Sequence, residues 1–307
     1  MKYYVGIDGG GSNTKSLVCS QDKIICGEFF SGSSNISSNG IKNTMLELNK
    51  NFELIMESLN FKAENCKGIT LGLAGINQEE QKEQIKKNVS KIFRNAIIKV
   101  FDDAYVALVG AHGCESGGIL ISGTGSIARA FTRDRELVRV GGYGHLLDDI
   151  GSGYDIGRQV LSSVLMSWDG RIGETILKEL IIETGLNSPD EILKMVYNKE
   201  FQKKDIAKYC IYAFKAAKRN DPIANRIIES AIDGLAELVN AIVMKTKIND
   251  LKIALSGSVL EQAEGFSKRL IQKCKKQIPN VIFVEKQNNA AYGALLLATG
   301  YSEIKVR

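Results

Sequence analysis

A carboxylate, three glycines and three small polar residues form the run Asp8-Gly9-Gly10-Gly11-Ser12-Asn13-Thr14 near the start of the chain. Glycines let several backbone N–H groups point at one place, which suits a phosphate, and the hydroxyls of Ser12 and Thr14 add donors. A carboxylate beside a phosphate usually acts through a metal ion, because it would otherwise repel the phosphate. Mg²⁺ held by Asp8 through water fits this chemistry. The run has neither a P-loop nor a Rossmann signature, and taken alone it is equally well explained as a glycine hairpin without a ligand.

Two further glycine turns follow the same logic. The turn Ser122-Gly123-Thr124-Gly125-Ser126 joins small residues and hydroxyls at a predicted strand end. Facing the first turn, it could grip the β- and γ-phosphates of a nucleotide from the opposite side. The turn Leu255-Ser256-Gly257-Ser258-Val259 lies between a predicted strand and a predicted helix. Its glycine leaves room for a flat ring such as adenine, although a plain strand-to-helix turn explains it equally well.

Adjacent carboxylates, Asp102 and Asp103, follow a predicted strand and precede a predicted helix. A carboxylate beside a helix N-terminus stays ionised at little cost, and it could accept the proton of an attacking hydroxyl. Neighbouring side chains point in different directions, so we expect one to serve the chemistry and the other to cap the helix. On these residues alone, two capping roles are equally open.

A glycine-rich segment with polar groups and one aromatic ring has the composition of a sugar site: Gly141-Gly142-Tyr143-Gly144-His145-Leu146-Leu147-Asp148-Asp149-Ile150-Gly151-Ser152-Gly153. Such sites combine carboxylates and amides, which bind hydroxyls, with an aromatic ring for the apolar face of the sugar. Asn35 is another candidate for hydroxyl recognition, although a plain loop asparagine is the simpler interpretation.

The elements that must position these residues are predicted from periodicity and turn signals. Strands are predicted at residues 3–8, 14–20, 23–30, 69–73 and 97–101, and helices at 41–59, 79–92 and from about 104. The three-strand order then begins again at 118–122, 126–132 and 136–140, which predicts an internal duplication into two lobes that face one cleft. The remainder is predicted as helices over about 154–247, one of them starting at Asp221-Pro222, then a strand at 251–255, a helix at 260–274, a strand at 281–284 and a helix at 290–298.

Bulk composition fits a soluble two-domain enzyme. The 307 residues exceed one domain of about 150 residues, and 44% hydrophobic residues allow a sizeable core. A net charge of +5 is too small to indicate nucleic-acid binding. The six cysteines contain no C-x-x-C pair, which is typical of a reducing cytoplasm, and two histidines make a zinc site unlikely. We expect neither a signal peptide nor a membrane span.

Taken in order, these motifs resemble the actin/hexokinase/Hsp70-like ATPases, and within them the BadF/BadG/BcrA/BcrD group that includes N-acetylglucosamine kinases. The resemblance runs almost end to end. It depends on Asp8-Gly-Gly-Gly-Ser, Gly72-Leu-Ala-Gly75, Asp103-Ala, Ile121-Ser-Gly-Thr-Gly-Ser126, Gly142-Tyr-Gly-His145, Gly151-Ser-Gly153, Ser256-Gly-Ser258 and Asn288-Asn-Ala-Ala-Tyr-Gly293.

The resemblance implies an α/β fold of two actin-like ATPase lobes, a duplicated ribonuclease H-like fold with an ATP cleft between them. The N-terminal lobe would span 1–114, with a C-terminal helix of about 289–307 packing back onto it. The C-terminal lobe would span 115–288, with a helical insertion at about 154–247. The implied enzyme is a cytoplasmic, homodimeric sugar kinase that uses ATP and Mg²⁺ and binds neither nucleic acid nor membrane. It would phosphorylate N-acetylglucosamine, with N-acetylmuramic acid as a second candidate, at the 6-hydroxyl, for amino-sugar or cell-wall salvage.

The same resemblance implies roles for individual residues. Asp103 falls on the position of the general base, and Asp8 on that of the water-mediated magnesium ligand. The residues that would bind the cofactor are Asp8, Gly10, Gly11, Ser12, Asn13, Thr14, Gly123, Thr124, Gly125, Ser126, Ala217, Gly257 and Ser258. The residues that would bind the sugar are Asn35, Gly75, Gly142, Tyr143, Gly144 and Asp149.

Departures from the family pattern fall in the sugar segment. Tyr143, Asp148 and Ile150 stand where the family commonly has tryptophan, glycine and glutamate. Loss of the glutamate at Ile150 removes a negative charge, which leads to the hypothesis that a sugar with an acidic substituent is admitted. Asp148 argues against this if it faces the pocket.

Three alternatives are open on the sequence. An activator of 2-hydroxyacyl-CoA dehydratases would use ATP to drive electrons through an iron–sulfur cluster, but it needs cysteines beside glycines at a dimer interface, and here the cysteines are scattered. A kinase of glucosamine or glucose differs only in substrate. A sugar-sensing regulator would need a DNA-binding extension, and none precedes Tyr3.

Overall fold

The structure is a computed structural model that describes residues 1–113, 115–301 and 304. Cys114, where the predicted N-terminal lobe ends, and residues 302, 303 and 305–307 of the predicted C-terminal segment lie outside the described residues. The chain forms two units. Unit 1 consists of Met1–Gly117 together with Glu285–Arg307, and unit 2 consists of Gly118–Val284.

Strands and helices alternate along the described residues much as the sequence predicts. The strands are β1 (Tyr3–Gly9), β2 (Thr14–Ser20), β3 (Ile25–Ser31), β4 (Cys66–Leu73), β5 (Ile97–Asp102), β6 (Gly117–Ser122), β7 (Ser126–Phe131), β8 (Leu137–Gly141), β9 (Lys252–Ser256) and β10 (Ile282–Val284). The α-helices are α1 (Ile36–Leu59), α2 (Glu79–Ile92), α3 (Asp103–His112), α4 (Gly153–Trp168), α5 (Ile176–Ile182), α6 (Pro189–Val196), α7 (Lys203–Ala207), α8 (Cys210–Lys218), α9 (Pro222–Thr246), α10 (Ser258–Gln262), α11 (Phe266–Gln277) and α12 (Ala290–Ala298).

The sheet of unit 1 has the strand order β3-β2-β1-β4-β5. Strand β1 is antiparallel to β2 and parallel to β4, and β4 is parallel to β5. One face of β1 presents Tyr3, Val5 and Ile7, all buried in the core of this unit. Parallel strands end at the same edge of a sheet, so Asp8 at the end of β1 and Asp102 at the end of β5 lie along one edge.

Helix α12 packs closely against α3 and β1 within unit 1. A Cβ at Gly293 would lie 2.1 Å from the carbonyl oxygen of Val106 and 2.4 Å from the nitrogen of Gly110. A Cβ at Gly6 would lie 2.2 Å from the nitrogen of Leu295. Only glycines allow these backbones to approach so closely, and the C-terminal helix therefore forms part of unit 1.

The sheet of unit 2 has the order β10-β9-β6-β7-β8. Counted within each unit, both sheets place the strands in the order third, second, first, fourth, fifth. Strand β9 is parallel to both β6 and β10, as β4 is to β1 and β5 in unit 1. The predicted internal duplication is therefore confirmed at the level of sheet topology.

A buried carboxylate ties two helices of unit 2 together. Asp221 is 3% exposed and caps α9, where it accepts a hydrogen bond from the N–H of Ala224 at 2.8 Å. Its second oxygen accepts from the hydroxyl of Thr175 at 2.8 Å and from the N–H of Ile176 at 2.7 Å, at the start of α5. The predicted helix start at Asp221-Pro222 is confirmed, and the same side chain also fixes a second helix.

Two predicted helix limits differ from the structure. Helix α1 begins at Ile36 rather than at 41, because a turn precedes an interruption at Gly40, whose φ is 69°. The single helix predicted at 260–274 was wrong, since Gly265 adopts a left-handed φ of 75° and separates α10 from α11. Among the described residues, none of the helices has the length and apolar character that a membrane span requires.

Candidate functional site

The edge of the unit 1 sheet carries the carboxylates predicted to do chemistry. Asp8 pairs with Gly72 of the neighbouring parallel strand. Asp102 caps α3, accepting a hydrogen bond from the N–H of Tyr105 at 2.9 Å. Asp103 is the first residue of α3, and its carboxylate accepts from the N–H of the next residue at 2.9 Å. The predicted capping role is therefore confirmed for Asp102, and Asp103, the half-buried first residue of α3, also accepts from an N–H of the first turn.

The electrostatics of this edge favour a cation. The pKa of Asp8 is raised from 3.8 to about 7, mainly by burial and in addition by the negative charge of Asp103, while Lys15 on the paired strand acts in the opposite direction. Carboxylate oxygens are the type of donor that Mg²⁺ prefers, and a cation would relieve the repulsion that Asp8 meets from Asp103. The described residues contain no cluster of three or more His, Cys, Asp or Glu side chains that could enclose a metal. The donor set therefore fits a magnesium ion held mainly by water and phosphate oxygens.

The first glycine turn has donors to offer. The N–H of Gly10 donates to the carbonyl oxygen of Asn13 at 2.9 Å and closes the turn. The N–H groups of Gly11, Ser12 and Asn13 donate to none of the described residues. A turn with several unused N–H groups is a site for an anion.

The hydroxyl of Thr14 has a different environment from the rest of this turn. It is buried, it donates to the carbonyl oxygen of Gly32 at 2.7 Å, and it shares a 2.7 Å hydrogen bond with Ser34. The sequence predicts that the Thr14 hydroxyl donates to a phosphate. In the structure this hydroxyl donates its hydrogen to a carbonyl oxygen of unit 1. Thr14 shapes the turn by anchoring it to the segment that leads into α1.

Three predicted residues from distant parts of the sequence meet in unit 1. Asn35 caps α1, and its Oδ1 accepts a hydrogen bond from the N–H of Ser38 at 3.3 Å. A Cβ at Gly75, whose φ is 74°, would lie 2.6 Å from that Oδ1, so only glycine fits there. A Cβ at Gly11 would lie 3.8 Å from the Nδ2 of Asn35. Asn35 is buried, with 9% of its surface exposed, yet its side-chain amide hydrogens are donated to no described residue. They are therefore left for a ligand beside the first turn.

The second glycine turn is held by the start of α4. The N–H of Gly153 donates to the carbonyl oxygen of Gly123 at 2.7 Å, and the N–H of Tyr154 donates to that of Thr124 at 3.3 Å. The N–H of Gly123 donates to the carbonyl oxygen of Gly125 at 3.0 Å. The N–H groups of Thr124 and Gly125 have no acceptor among the described residues, so this turn also offers donors to an anion.

Asp149, predicted to bind sugar, lies against the second turn. It is 3% exposed, its backbone is left-handed with a φ of 64°, and its Oδ1 accepts from the N–H of Ser126 at 3.2 Å. Both carboxylate oxygens lie 3.0 Å from where a Cβ of Gly125 would be, so a side chain at that position would force the carboxylate to shift by a few tenths of an ångström. Burial raises the pKa of Asp149, while the Ser126 N–H and the charge of Lys203 act in the opposite direction.

The third glycine turn packs directly on the second. Gly257 has a φ of 101°, and a Cβ there would lie 2.3 Å from the carbonyl oxygen of Ser122 and 2.9 Å from the nitrogen of Gly123. Ser258, at the start of α10, is exposed. The predicted phosphate and adenosine turns of unit 2 are therefore neighbours.

Ala217 is placed by helix α8. The next residue, Lys218, forms a 2.6 Å ion pair with Glu264, and Phe214 packs edge-on against Phe266 with 5.5 Å between ring centroids. Helix α8 therefore lies beside the segment that follows the third turn. No described contact joins Ala217 itself to Gly257, and its predicted role in adenosine binding stays a prediction.

The predicted sugar segment forms an exposed loop in unit 2. Gly142 and Gly144 have φ values of 73° and 92°, and Tyr143 between them is 65% exposed, with the guanidinium of Arg139 4.8 Å from its ring centroid. The carboxylate of Asp148 accepts from the N–H of Tyr143 at 3.2 Å. One oxygen of the Asp148 carboxylate therefore holds the backbone of its own loop. This bears on the question, raised by the sequence, of whether the charge of Asp148 faces the sugar pocket.

Sequence reasoning missed Asp155. It is 8% exposed, and its Oδ2 accepts from the N–H of Gly151 at 3.0 Å. The hydroxyl of Ser122 donates to the carbonyl oxygen of the same glycine at 2.8 Å. The three-residue spacing of Ser152 and Asp155 resembles a capping box, and this pattern could have identified Asp155 from the sequence.

Lys203 was missed as well. It acts electrostatically on both Asp149 and His145. Nothing in its local sequence marks it, because this proximity arises from the packing of α7.

Comparisons with known proteins agree with this arrangement. The profile of the BadF/BadG/BcrA/BcrD ATPase family matches residues 5–298. An N-acetylmuramic acid/N-acetylglucosamine kinase from Clostridium acetobutylicum is 33% identical over 304 residues, covering 97% of this chain and 98% of that protein. An N-acetyl-D-glucosamine kinase from Dictyostelium discoideum is 28% identical over 309 residues, covering 96% of this chain and 97% of that protein.

One solved structure has the same fold. A provisionally assigned N-acetylglucosamine kinase from Chromobacterium violaceum matches 97% of this chain and 99% of its own, with a TM-score of 0.82 and 24% identity. Together with the two five-stranded sheets of equal order, this similarity confirms the predicted fold class of two actin-like ATPase lobes.

Proposed function

Because the chain belongs to the BadF/BadG/BcrA/BcrD ATPase family, we propose that it transfers the γ-phosphoryl group of ATP to an amino sugar. The substrates are N-acetylglucosamine and N-acetylmuramic acid, and the acceptor is the 6-hydroxyl. The observation that carries this proposal is the 33% identity to a kinase of both sugars along 97% of this chain and 98% of that relative. The homodimer and the cytoplasmic location that the resemblance implies stay predictions.

Asp103 is the general base of this proposal. The sugar oxygen bonds to the γ-phosphorus, the bond from that phosphorus to the β,γ-bridging oxygen breaks, and ADP leaves. The hydroxyl proton passes to the carboxylate of Asp103. Its position supports this role, because Asp103 is the first residue of α3, directly after the end of β5, and its negative charge acts on Asp8 at the same edge of the sheet.

Backbone N–H groups are the phosphate donors. In unit 1 these are the N–H groups of Gly11, Ser12 and Asn13, and in unit 2 those of Thr124 and Gly125, all of them unused by the described residues. Mg²⁺, held by Asp8 through water, would neutralise phosphate charge. The proton affinity that burial and Asp103 give to Asp8 supports this assignment, since a cation there would relieve the repulsion.

The proposal is tested by measuring sugar-dependent ADP release with ATP and Mg²⁺ for N-acetylglucosamine, N-acetylmuramic acid, glucosamine and glucose. We expect the first two sugars to give the highest kcat/KM. Asp103→Asn should lower kcat about 10²- to 10⁴-fold, the usual range for a lost general base. Asp102→Asn is the matched control, and it should stay near the wild-type rate because asparagine also caps helices.

Other outcomes would point to other functions. Higher kcat/KM with glucosamine or glucose would reassign the substrate while keeping the kinase. ADP release that no sugar stimulates would contradict a sugar kinase, and iron and sulfide analysis of the purified protein would then test the activator alternative.

A further inference from the structure

Lys203 begins a short helix that packs on the start of α4. Helices α7 and α4 touch at Gly157, where a Cβ would lie 2.1 Å from the carbonyl oxygen of Ile206. They touch again at Gly153, where a Cβ would lie 3.5 Å from the Cβ of Ala207. The position of Lys203 is therefore fixed by close backbone packing rather than by a free surface loop.

This packing brings Lys203 to the predicted sugar segment of unit 2. The N–H of Gly153, on which α7 packs, donates to the carbonyl oxygen of Gly123 in the second glycine turn. Burial raises the pKa of Asp149 and lowers that of His145, and the nearby charge of Lys203 acts to lower the pKa of both residues. Two residues of the sugar segment thus lie within electrostatic range of one ammonium group.

The ammonium of Lys203 has unused hydrogen-bonding capacity. The residue is partly exposed, and its side chain forms no hydrogen bond and no ion pair with any described residue. Two other lysines close to it in sequence are paired: Lys208 lies 2.7 Å from Asp205, and Lys218 lies 2.6 Å from Glu264. Its three N–H donors are therefore left for water or for an anion.

The nearby carboxylates are already engaged. Asp149 accepts from the N–H of Ser126, and Asp148 accepts from the N–H of Tyr143. Both carboxylates are held by the backbone of their own loop and turn. Lys203 is therefore a cation beside this segment that no described residue engages by a hydrogen bond or an ion pair.

We propose that Lys203 selects for amino sugars that carry a carboxylate, such as N-acetylmuramic acid, by donating hydrogen bonds to that carboxylate. This inference rests on the proposed function, because it assigns a specificity residue to the same site. A neutral sugar such as N-acetylglucosamine lacks the anionic group and depends less on Lys203.

The test compares Lys203→Met with Lys204→Met, which changes the exposed lysine next to it on the same helix. Both variants and the wild type are assayed with N-acetylmuramic acid and N-acetylglucosamine, and the KM for ATP is measured for each. In Lys203→Met we expect kcat/KM for N-acetylmuramic acid to fall at least tenfold more than for N-acetylglucosamine, with the KM for ATP unchanged. Lys204→Met should leave both sugars near their wild-type values.

Several results would overturn the inference. Equal losses for the two sugars, a loss confined to the KM for ATP, or no change at all would each remove the carboxylate-selecting role. So would a wild type that phosphorylates N-acetylglucosamine but not N-acetylmuramic acid, and the proposed phosphorylation of N-acetylglucosamine would survive all four results. A wild type active on neither sugar would instead overturn both proposals.

Discussion

The carboxylate of Asp149 accepts a hydrogen bond from the backbone N–H of Ser126, with 3.2 Å between Oδ1 and the nitrogen. Asp149 also has a left-handed backbone conformation, and its carboxylate packs against Gly125. A side chain that the family resemblance assigns to sugar therefore also shapes the turn whose N–H groups we propose as phosphate donors. Substitution at this position should affect the use of sugar and of ATP together.

Asp149→Asn and Asp149→Ala should separate these two contributions. Asparagine tolerates left-handed φ and still offers an acceptor to the N–H of Ser126. We expect it to keep the wild-type melting temperature and the KM for ATP, while the KM for sugar rises about tenfold because the charge is lost. Alanine leaves the N–H of Ser126 unsatisfied, which costs about 1–3 kcal/mol, and both KM values should rise. Thermal unfolding and steady-state kinetics measure these effects, and an unchanged KM for ATP in Asp149→Ala would contradict the link to the turn.

Asp8 should make the stability of the metal-free protein depend on pH. Its pKa rises from 3.8 to about 7 on folding, because of burial and the charge of Asp103. The folded state therefore holds this proton more tightly than the unfolded state does. The resulting stabilisation is complete below the unfolded pKa of 3.8 and is lost as pH rises through 7.

Asp8→Asn removes this titration, and its effect should follow the same pH window. In EDTA, we expect the variant to gain melting temperature relative to the wild type at pH 8, and the difference to shrink steadily as pH falls from 7 to 4. Thermal unfolding across this range measures the difference, and Mg²⁺ with ATP should reduce it at pH 8 by stabilising the wild type. The variant should also lose most kinase activity. A difference that is constant with pH would mean that Asp8 is not buried beside a second negative charge.

Much of the fold is predictable because its signals are local. The cap by Asp102, the helix start at Asp221-Pro222 and the glycine turns each depend on a few consecutive residues. The repeated strand order also emerges from local patterns in succession. The break at Gly265 was missed because the apolar period continues across it, although its left-handed φ ends the helix.

The site is less predictable, because its contacts join residues far apart in sequence. Asp149 and Ser126 are 23 residues apart, and no local pattern indicates that one holds the other. The hydroxyl of Thr14 looks available in the sequence, and only the fold shows that Gly32 accepts its hydrogen. Lys203 reaches the sugar segment solely because α7 packs on α4.

Gly257 should tolerate no side chain. An alanine Cβ would lie 2.3 Å from the carbonyl oxygen of Ser122, a contact with backbone that cannot move without displacing the second turn. We expect Gly257→Ala to raise the KM for ATP at least tenfold and to lower the melting temperature. Binding of ATP measured by calorimetry, together with thermal unfolding, checks this prediction.

Gly144→Ala is the matched control for backbone strain. Gly144 has a similar positive φ of 92°, but a Cβ there meets nothing within 4 Å. It should therefore show only the cost of an unusual φ, about 1–3 kcal/mol, without a change in ATP affinity. Equal effects of the two substitutions on ATP binding would show that strain, rather than the contact with Ser122, is responsible.

Ile150 bears on the choice between neutral and acidic sugars. Its side chain is 47% exposed and lies over Gly234 of α9, where a Cβ would come within 2.3 Å of Cγ2 of Ile150. Ile150→Glu would place a third carboxylate directly after Asp148 and Asp149. Two like charges about 4 Å apart repel by about 1 kcal/mol in water and about 4 kcal/mol in a partly buried site.

This repulsion should act on N-acetylmuramic acid and spare N-acetylglucosamine, which has no carboxylate. We expect Ile150→Glu to lower kcat/KM for N-acetylmuramic acid about tenfold more than for N-acetylglucosamine. Ile150→Gln has the same shape without the charge, so it isolates steric effects and should change both sugars alike. Because Lys203 would attract the same carboxylate that a glutamate at 150 would repel, Ile150→Glu and Lys203→Met should shift sugar preference in the same direction. Equal losses for both sugars in Ile150→Glu would show that position 150 does not sense the acidic substituent.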